Sequence, residues 1–461
     1  MNRRPGADRS TSRIPALDAR PVALTVAGSD SGGGAGIQAD IRTMAAHGAF
    51  PTSVITSVTA QHTRGVDRSF TLPLEDILAQ YDAVTADFDV GAAKTGMLAE
   101  APVVEAVTDR VTDLDAPLVV DPVMVATSGD RLLTPEGERA YEELIAQAAL
   151  VTPNRDETAV LTELEPTNPE LAREAGERLL ERGADAVLVT GGHGDDNTVT
   201  DVLVTDDDVQ EFDHPRVATD ATHGSGCALS AAITTRLAAG DDLQPAVERS
   251  IRFMQRAIRY PLDVGQGAGA INPMVGLRNR AEREVVADDV AALVDELLDS
   301  DAVPLIPEVG MNVVGATPYA ESVADTLAVE GRLRRTLDGV AVARGVRAGA
   351  SSHVARFLLS SREFVPRFRF AANVRNDQAT RDALSALDGP VATFDRTREP
   401  ATASTMNWSA REIYGDLDDD DPPITAVDCG DVGKEPMIRL VAEDAETLAD
   451  RLQTVLRVAR E

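Results

Sequence analysis

The sequence predicts an α/β fold with a largely parallel sheet, followed by a second α/β domain. Three observations lead there. From Pro21 onward, short β-branched runs alternate with longer amphipathic segments. Two glycine-rich turns, one from Gly28 and one from Thr222, each lead into a helical pattern. At 461 residues the chain holds two or three domains, each able to bury a core.

Strand-like runs are Val22 to Ala27, Ser53 to Val58, Leu118 to Val120, Ala148 to Val151 and Ala186 to Val189, with helical patterns such as IQADIRTMAAHG and GERAYEELIAQ between them. Thr198 to Val217 reads as a hairpin with an acidic turn, so the sheet gains an antiparallel edge. Residues 1–20 lack an apolar stretch and read as a disordered tail, which leaves 21–275 for the first domain. Glycine and proline cluster at 264–276, ahead of the charged stretch LRNRAEREVVADD. Residues 276–287 are therefore expected as a linker and 288–461 as the second domain, which ends in an amphipathic helix.

Composition narrows the function. Acidic residues number 76 against 44 basic ones, a formal net charge of -32. A chain this acidic shows no basic stripe for nucleic acid, and no apolar run reaches the roughly 18 residues of a membrane span, so neither partner is expected. The location expected is cytoplasmic. Only Lys94 and Lys434 are lysines; every other basic residue is arginine, a balance that suits a very salty cytoplasm, where charges are screened. Two cysteines, Cys227 and Cys429, are too few for a disulfide framework.

In GSDSGGGAGIQAD the glycines allow close backbone approach to a ligand, although such a turn is as often structural. In THGSGCALSAAI the N–H groups of Gly224, Ser225, Gly226 and Cys227 at a helix start form an anion hole. The same dipole is expected to lower the pKa of Cys227 and make it a candidate base; the alternative is a small cysteine filling space. Asp121, Asn154 and Glu157 follow predicted strands and offer oxygen ligands for magnesium beside nucleotide phosphates, or else caps and turns.

Together GSDSGGGAGIQAD, SVITSVTAQHT, AAKTGML, VVDPVMVATSGDRLL, VTPNRDE and HGSGCALSAAI resemble the hydroxymethylpyrimidine and phosphomethylpyrimidine kinases of thiamine synthesis, within the ribokinase-like three-layer α/β/α fold. The resemblance implies ATP and Mg2+ as cofactors and a pyrimidine near Gly28, Asp40, Gln61 and Met97. It assigns the metal to Asp121 and Glu157, and ATP phosphates to Gly224, Ser225, Gly226 and Asn154. Cys227 takes the base position, and a homodimer is expected.

Arginine-rich segments of the second domain read as salt-bridge partners or as an anion site. GRL at Gly331, SSHVARF at Ser351 and GKEPMI at Gly433 resemble the ThiN-type thiamine-phosphate synthase domain. That resemblance makes Arg332 and His353 the catalytic pair, with Asn373, Arg375 and Lys434 in the same pocket. Lys434 is otherwise a turn cap. The reading is a bifunctional enzyme for hydroxymethylpyrimidine, its phosphates and thiazole phosphate. A kinase with a ligand-sensing tail and a pyridoxal-type vitamin kinase are the alternatives.

Where the kinases carry Lys-Gly-Gly-His, this chain has Thr190-Gly191-Gly192-His193, so a cation beside the phosphates is lost. Magnesium, an arginine or potassium must then neutralise charge. If ions do so, Thr190→Lys leaves turnover in concentrated KCl within about twofold of wild type, whereas a large gain there excludes them.

Overall fold

The computed structural model describes residues 19–124, 135–191, 197–395, 398–400, 405–415, 421–430 and 435–461. Most of the expected N-terminal tail, the segment VATSGDRLL, Gly192, His193, Gly433 and Lys434 lie outside them. The chain forms two compact units, Met1–Gly276 and Leu277–Glu461.

In the first unit nine strands form one sheet in the order β3-β2-β1-β4-β5-β6-β7-β8-β9. They are β1 (Val22–Ser29), β2 (Phe50–His62), β3 (Gly65–Thr71), β4 (Val90–Thr95), β5 (Leu118–Val120), β6 (Leu150–Val151), β7 (Ala186–Val189), β8 (Thr198–Thr205) and β9 (Val209–Pro215). The six strands from β2 to β7 run parallel, and the edges β3 and β8–β9 are antiparallel. Thr198 to Val217 thus contains the expected hairpin. Strands covered on both faces read as largely apolar runs, and in β1 every residue from Ala23 to Gly28 is buried, Thr25 being its one polar side chain.

The first unit's helices are α1 (Gly36–Ala46), α2 (Leu74–Asp87), α3 (Ala101–Thr112), α4 (Pro135–Ile145), α5 (Arg155–Thr162), α6 (Pro169–Leu180), α7 (Ser225–Ala238) and α8 (Leu243–Arg259). One face of the sheet is covered by Ile77 of α2, Val104 of α3, Leu144 of α4 and Leu179 of α6. Met44 of α1, Ile233 of α7 and Val247 of α8 cover the other, which completes three layers. Asn154 starts α5 through a capping box with Glu157, and Asn168 with Pro169 starts α6.

The second unit opens with α9 (Val275–Asp299). The expected linker is thus helical: its charged residues form the outer face, while Val286, Val290, Leu293 and Leu297 recur at helical spacing and are buried. Asn279 and Arg283 of α9 donate to the Asp325 carboxylate at 2.9 and 3.0 Å, which fixes the helix's rotation.

Its strands are β10 (Val313–Ala316), β11 (Thr326–Val329), β12 (Leu333–Thr336), β13 (Gly339–Val342), β14 (Val346–Ala348), β15 (Phe370–Arg375), β16 (Val391–Phe394), β17 (Thr425–Asp428) and β18 (Met437–Ala442). Seven form a sheet ordered β14-β11-β10-β15-β18-β17-β16, antiparallel except for the β16–β17 pair; β12 and β13 form a separate hairpin. Helices α9 and α13 (Ala445–Ala459) cover one face, joined by α11 (Gln378–Ala383) at its border. Helices α10 (His353–Arg362) and α12 (Thr405–Tyr414) cover the other. Among the described residues no helix is long and apolar enough to cross a membrane.

Gly224 caps α7 with φ of 82°, and a Cβ built there would lie 2.0 Å from the Gly34 carbonyl oxygen. A side chain would push α7 away from the glycine turn ahead of α1. Gly224→Ala is expected to cost about 1–3 kcal/mol or more in urea unfolding at high salt. Gly226→Ala, where a Cβ meets nothing within 4 Å, is expected to unfold at the wild-type midpoint or slightly above it.

Candidate active sites

The first unit holds a cavity of about 660 Å³ beyond the carboxyl ends of β1, β4, β5 and β6, where open parallel sheets seat ligands. Gly28, Asp40, Gln61, Met97, Asp121, Asn154, Glu157 and the Gly224–Cys227 turn all line it.

At one end the backbone and Met97 meet closely: a Cβ on Gly28 would stand 2.4 Å from Met97 Cε. The Asp30 carboxylate ties this end together. It accepts from the Gly32 and Ala35 N–H groups at 2.8 Å and lies 3.3 Å from His223 Nε2. Burial alone would raise its pKa, but those hydrogen bonds outweigh it and hold the group below the usual carboxylate value. Gln61 accepts from the Thr59 hydroxyl and places its amide 3.4 Å from His223.

At the centre, the sheet register sets Thr25 of β1 beside Lys94 of β4, and both reach Asp40 of α1. Lys94 Nζ lies 2.9 Å from one Asp40 oxygen, and the Thr25 hydroxyl donates to the other at 2.7 Å. Lys94 also stands 3.6 Å from Asp121, which accepts from the Ser230 hydroxyl of α7. Burial disfavours the ammonium, yet the two carboxylates outweigh it and hold its pKa above the usual lysine value. Cys227 is half-buried in the first turn of α7, with its sulfur bonded by the Gly36 N–H that begins α1.

Toward the other end stand Asp121 and Glu157, both buried. Burial, and then the charge of Asp121, raise the pKa of Glu157 well above normal. Glu157 already accepts from the Asn154 N–H at 2.9 Å, and Asn154 accepts from the Glu157 N–H, so both residues are caps as well as cavity wall. Two like charges in one cavity, with too few protein ligands for a cage, fit a Mg2+ that keeps waters and takes its remaining oxygens from phosphates. Thr190 donates through its N–H to the Pro153 carbonyl at 3.0 Å. The next N–H, of Gly191, donates to Asp201, whose other oxygen is 3.2 Å from His214. Val217, Leu229, Ile251 and Ile258 make this end apolar, a surface suited to a flat base.

In the second unit several polar side chains grip the turn before β10. Arg332, in a left-handed conformation with φ of 66°, donates to the Val309 carbonyl at 2.7 Å. Buried Asn373 donates to the Gly310 carbonyl at 3.1 Å and accepts from the Asn312 N–H at 2.8 Å. Glu435 accepts from the Glu308 and Val309 N–H groups. Arg375, two residues beyond Asn373 on the same face of β15, pairs with Asp377 at 3.1 Å. His353 begins α10 and is exposed, with the Ser352 hydroxyl 3.3 Å from Nδ1. The register separates it from Arg332: β14 pairs Val346 with Val329 and Ala348 with Leu327, so His353 follows the Thr326 end of β11 and Arg332 the Val329 end.

Residues 30–272 match the phosphomethylpyrimidine kinase family and residues 289–454 the thiamine-phosphate synthase ThiN family. The bifunctional thiamine biosynthesis protein ThiDN of Methanocaldococcus jannaschii is 30% identical over 95% of this chain and 99% of its own length. The chain belongs to this bifunctional kinase–ThiN family. Its kinase unit is also 44% identical to the hydroxymethylpyrimidine/phosphomethylpyrimidine kinase of Rhizobium meliloti, over 54% of this chain and 96% of that one. An ADP complex of Bacillus subtilis pyridoxal kinase superposes with a TM-score of 0.52 at 30% identity, over 55% of this chain and 97% of that chain. The protein is thus a bifunctional enzyme that joins a ribokinase-like kinase to a thiamine-phosphate synthase.

One electrostatic expectation is corrected. Cys227 does sit at the α7 N-terminus, but its thiol is pushed up to about 12: burial is the largest cause, Lys94 opposes it, and Asp40 and Asp121 add to it. The helix dipole does not prevail beside two buried carboxylates. Reasoning from the sequence also passed over Lys94, Asp30 and His223 in the kinase unit and Asn312 and Glu435 in the ThiN unit. Lys94 was the findable one, since the chain has only two lysines.

A thiol titrating near 12 is protonated at neutral pH. Iodoacetamide at pH 8 is therefore expected to label exposed Cys429 first and Cys227 far more slowly, with Cys227 labelling still accelerating above pH 10. Mass spectrometry of the digested protein reads both sites.

Proposed function

We propose that the kinase unit transfers phosphate from ATP to hydroxymethylpyrimidine and then to the resulting monophosphate. The ThiN unit then joins the diphosphate to thiazole phosphate, which gives thiamine phosphate and pyrophosphate. The observation that carries the kinase half is the cavity itself: an acceptor end at Gly28, Gln61 and Met97, an apolar nucleotide end, and the α7 N-terminus between them.

In this reading the N–H groups of Gly224 through Cys227 receive charge on the transferring phosphoryl group. Asp121 and Glu157 hold Mg2+, which supplies charge neutralisation between the phosphates. Potassium at high concentration supplements it where Thr190 offers no cation. Cys227 touches the acceptor as a neutral thiol rather than as a preformed thiolate. A loose phosphoryl transition state makes little demand on a base, and for the second transfer the acceptor is an ionised phosphate that has no proton to lose.

The synthase step expels pyrophosphate from a benzylic-type carbon, so cations that receive the growing charge lower its barrier. Arg332 and Lys434 are assigned to that charge and His353 to the far end of the substrates.

Purified protein in high salt, supplied with hydroxymethylpyrimidine, ATP, Mg2+ and thiazole phosphate, is expected to form thiamine phosphate. Arg332→Ala and His353→Ala should each lower its formation by about 100-fold or more while the pyrimidine diphosphate accumulates at the wild-type rate. Chromatography of the products decides between this and a sensory role, which predicts no thiamine phosphate from any variant. A parallel reaction with pyridoxal as acceptor measures selectivity.

A further inference from the structure

One buried cation of the kinase cavity has no part in the transfer described above. Lys94 is fully buried among protein atoms yet lines the cavity. Its ammonium lies 2.9 Å from Asp40 of α1 and 3.6 Å from Asp121, which follows β5. Helix α1 carries the glycine turn of the acceptor end, and Asp121 faces Glu157 on the metal side. A single side chain therefore connects the two walls between which phosphate must pass.

Stability does not account for this arrangement. Taking charges out of water offsets most of their attraction, and well-packed apolar groups commonly replace such a set without loss. Each carboxylate also has a second donor of its own, Thr25 for Asp40 and Ser230 for Asp121. The choice of lysine is itself informative in a chain whose other cations, Lys434 apart, are arginine. Space is short here: a Cβ on Gly96 would be 3.0 Å from the Ala27 Cβ and 3.8 Å from Lys94 Nζ. A compact ammonium can serve oxygens on two separate elements in that volume, whereas a planar guanidinium fork is shaped for two oxygens of one group.

We propose that Lys94 is a positioning residue for phosphoryl transfer: by holding Asp40 and Asp121 at a fixed separation, it couples the seating of the acceptor to the seating of the magnesium-bound nucleotide. This rests on the kinase reading given above. Lys94 acts through the two carboxylates it holds, and no proton or phosphoryl group passes over it.

The test uses the full chain in concentrated KCl with Lys94→Met, Lys94→Arg, Lys94→Ala and the double variant Lys94→Met/Asp40→Asn. Hydroxymethylpyrimidine phosphorylation is followed as a function of acceptor and Mg2+ concentration, and thermal melting is recorded for each protein. An inactive wild type overturns the kinase reading and this proposal with it; an active wild type isolates the role of Lys94. Lys94→Met is expected to lower kcat by about 100-fold and to raise both the acceptor KM and the half-saturating Mg2+ concentration severalfold. Lys94→Arg is not expected to restore them, while ethylammonium added to Lys94→Ala should recover activity in proportion to its concentration. A folded Lys94→Met with kcat and both half-saturations within about twofold of wild type overturns the proposal. So does a loss of kcat alone that tracks a lowered melting temperature and does not respond to the amine. Should Lys94→Met fail to fold, the double variant decides, since it removes the Asp40 charge together with its partner. Because Asp40 is itself assigned to the acceptor end, the Mg2+ dependence is the readout: a severalfold higher half-saturating Mg2+ concentration supports coupling, and a wild-type one refutes it.

Discussion

The kinase site depends on how closely two helix N-termini can approach each other. Backbone N–H groups gather at one point only because Gly224 rests against the Gly34 carbonyl and the Gly36 N–H reaches the sulfur of Cys227. The first contact leaves no room for a side chain at Gly224, and the left-handed conformation there excludes most residues on steric grounds as well. Helices α1 and α7 then point their positive ends at one volume, which favours a phosphoryl anion there. Asp30 secures the same junction from the other side by accepting from the Gly32 and Ala35 N–H groups while facing His223, the residue before Gly224.

Much of this was legible from residue order. Parallel strands buried on both faces give largely apolar runs, and glycine-rich turns between a strand and a helix give away backbone that must approach something closely. The kinase-side candidates were therefore found as separate motifs, and the sheet brings them to one cavity. What sequence could not supply was the electrostatic balance inside it. The dipole argument for Cys227 treats the helix end as isolated, but Asp40 and Asp121 come from α1 and the end of β5, and only the packing of α1 on the sheet brings them beside it. Residues 276–287 misled for a different reason. A dense charge run after glycine and proline resembles a linker, and only the buried face of α9, which extends beyond that run, shows it to be half of an amphipathic helix.

The ThiN unit shows where motif reasoning runs out. GRL and SSHVARF lie close together in sequence, and a shared pocket is the natural expectation. The intervening chain forms the β12–β13 hairpin and returns as β14 antiparallel to β11, so the two motifs emerge at opposite ends of one short strand. Arg332 joins Asn373 and Glu435 around the turn at 308–310 instead. That turn is held through main-chain groups, so although Glu435 lies within GKEPMI, neither its role nor that of Asn312 shows in the residue pattern.

In a chain with a net charge of -32, the two units hold their cations by different means. The kinase unit gathers main-chain N–H groups, which carry no net charge, at the start of α7, and encloses its one buried ammonium between two carboxylates. In the ThiN unit arginine side chains hold main-chain carbonyls, as Arg332 does at Val309 and Arg335 at Ile306. The contrast follows from solvation. A buried cation must have its charge balanced by close partners, and a compact group does this best when the partners lie on separate elements. A half-exposed cation can stay solvated on one side and lend the other to the fold. Both kinds are fixed by their neighbours in the fold, and a group held in place beforehand needs little reorganisation on meeting an anion.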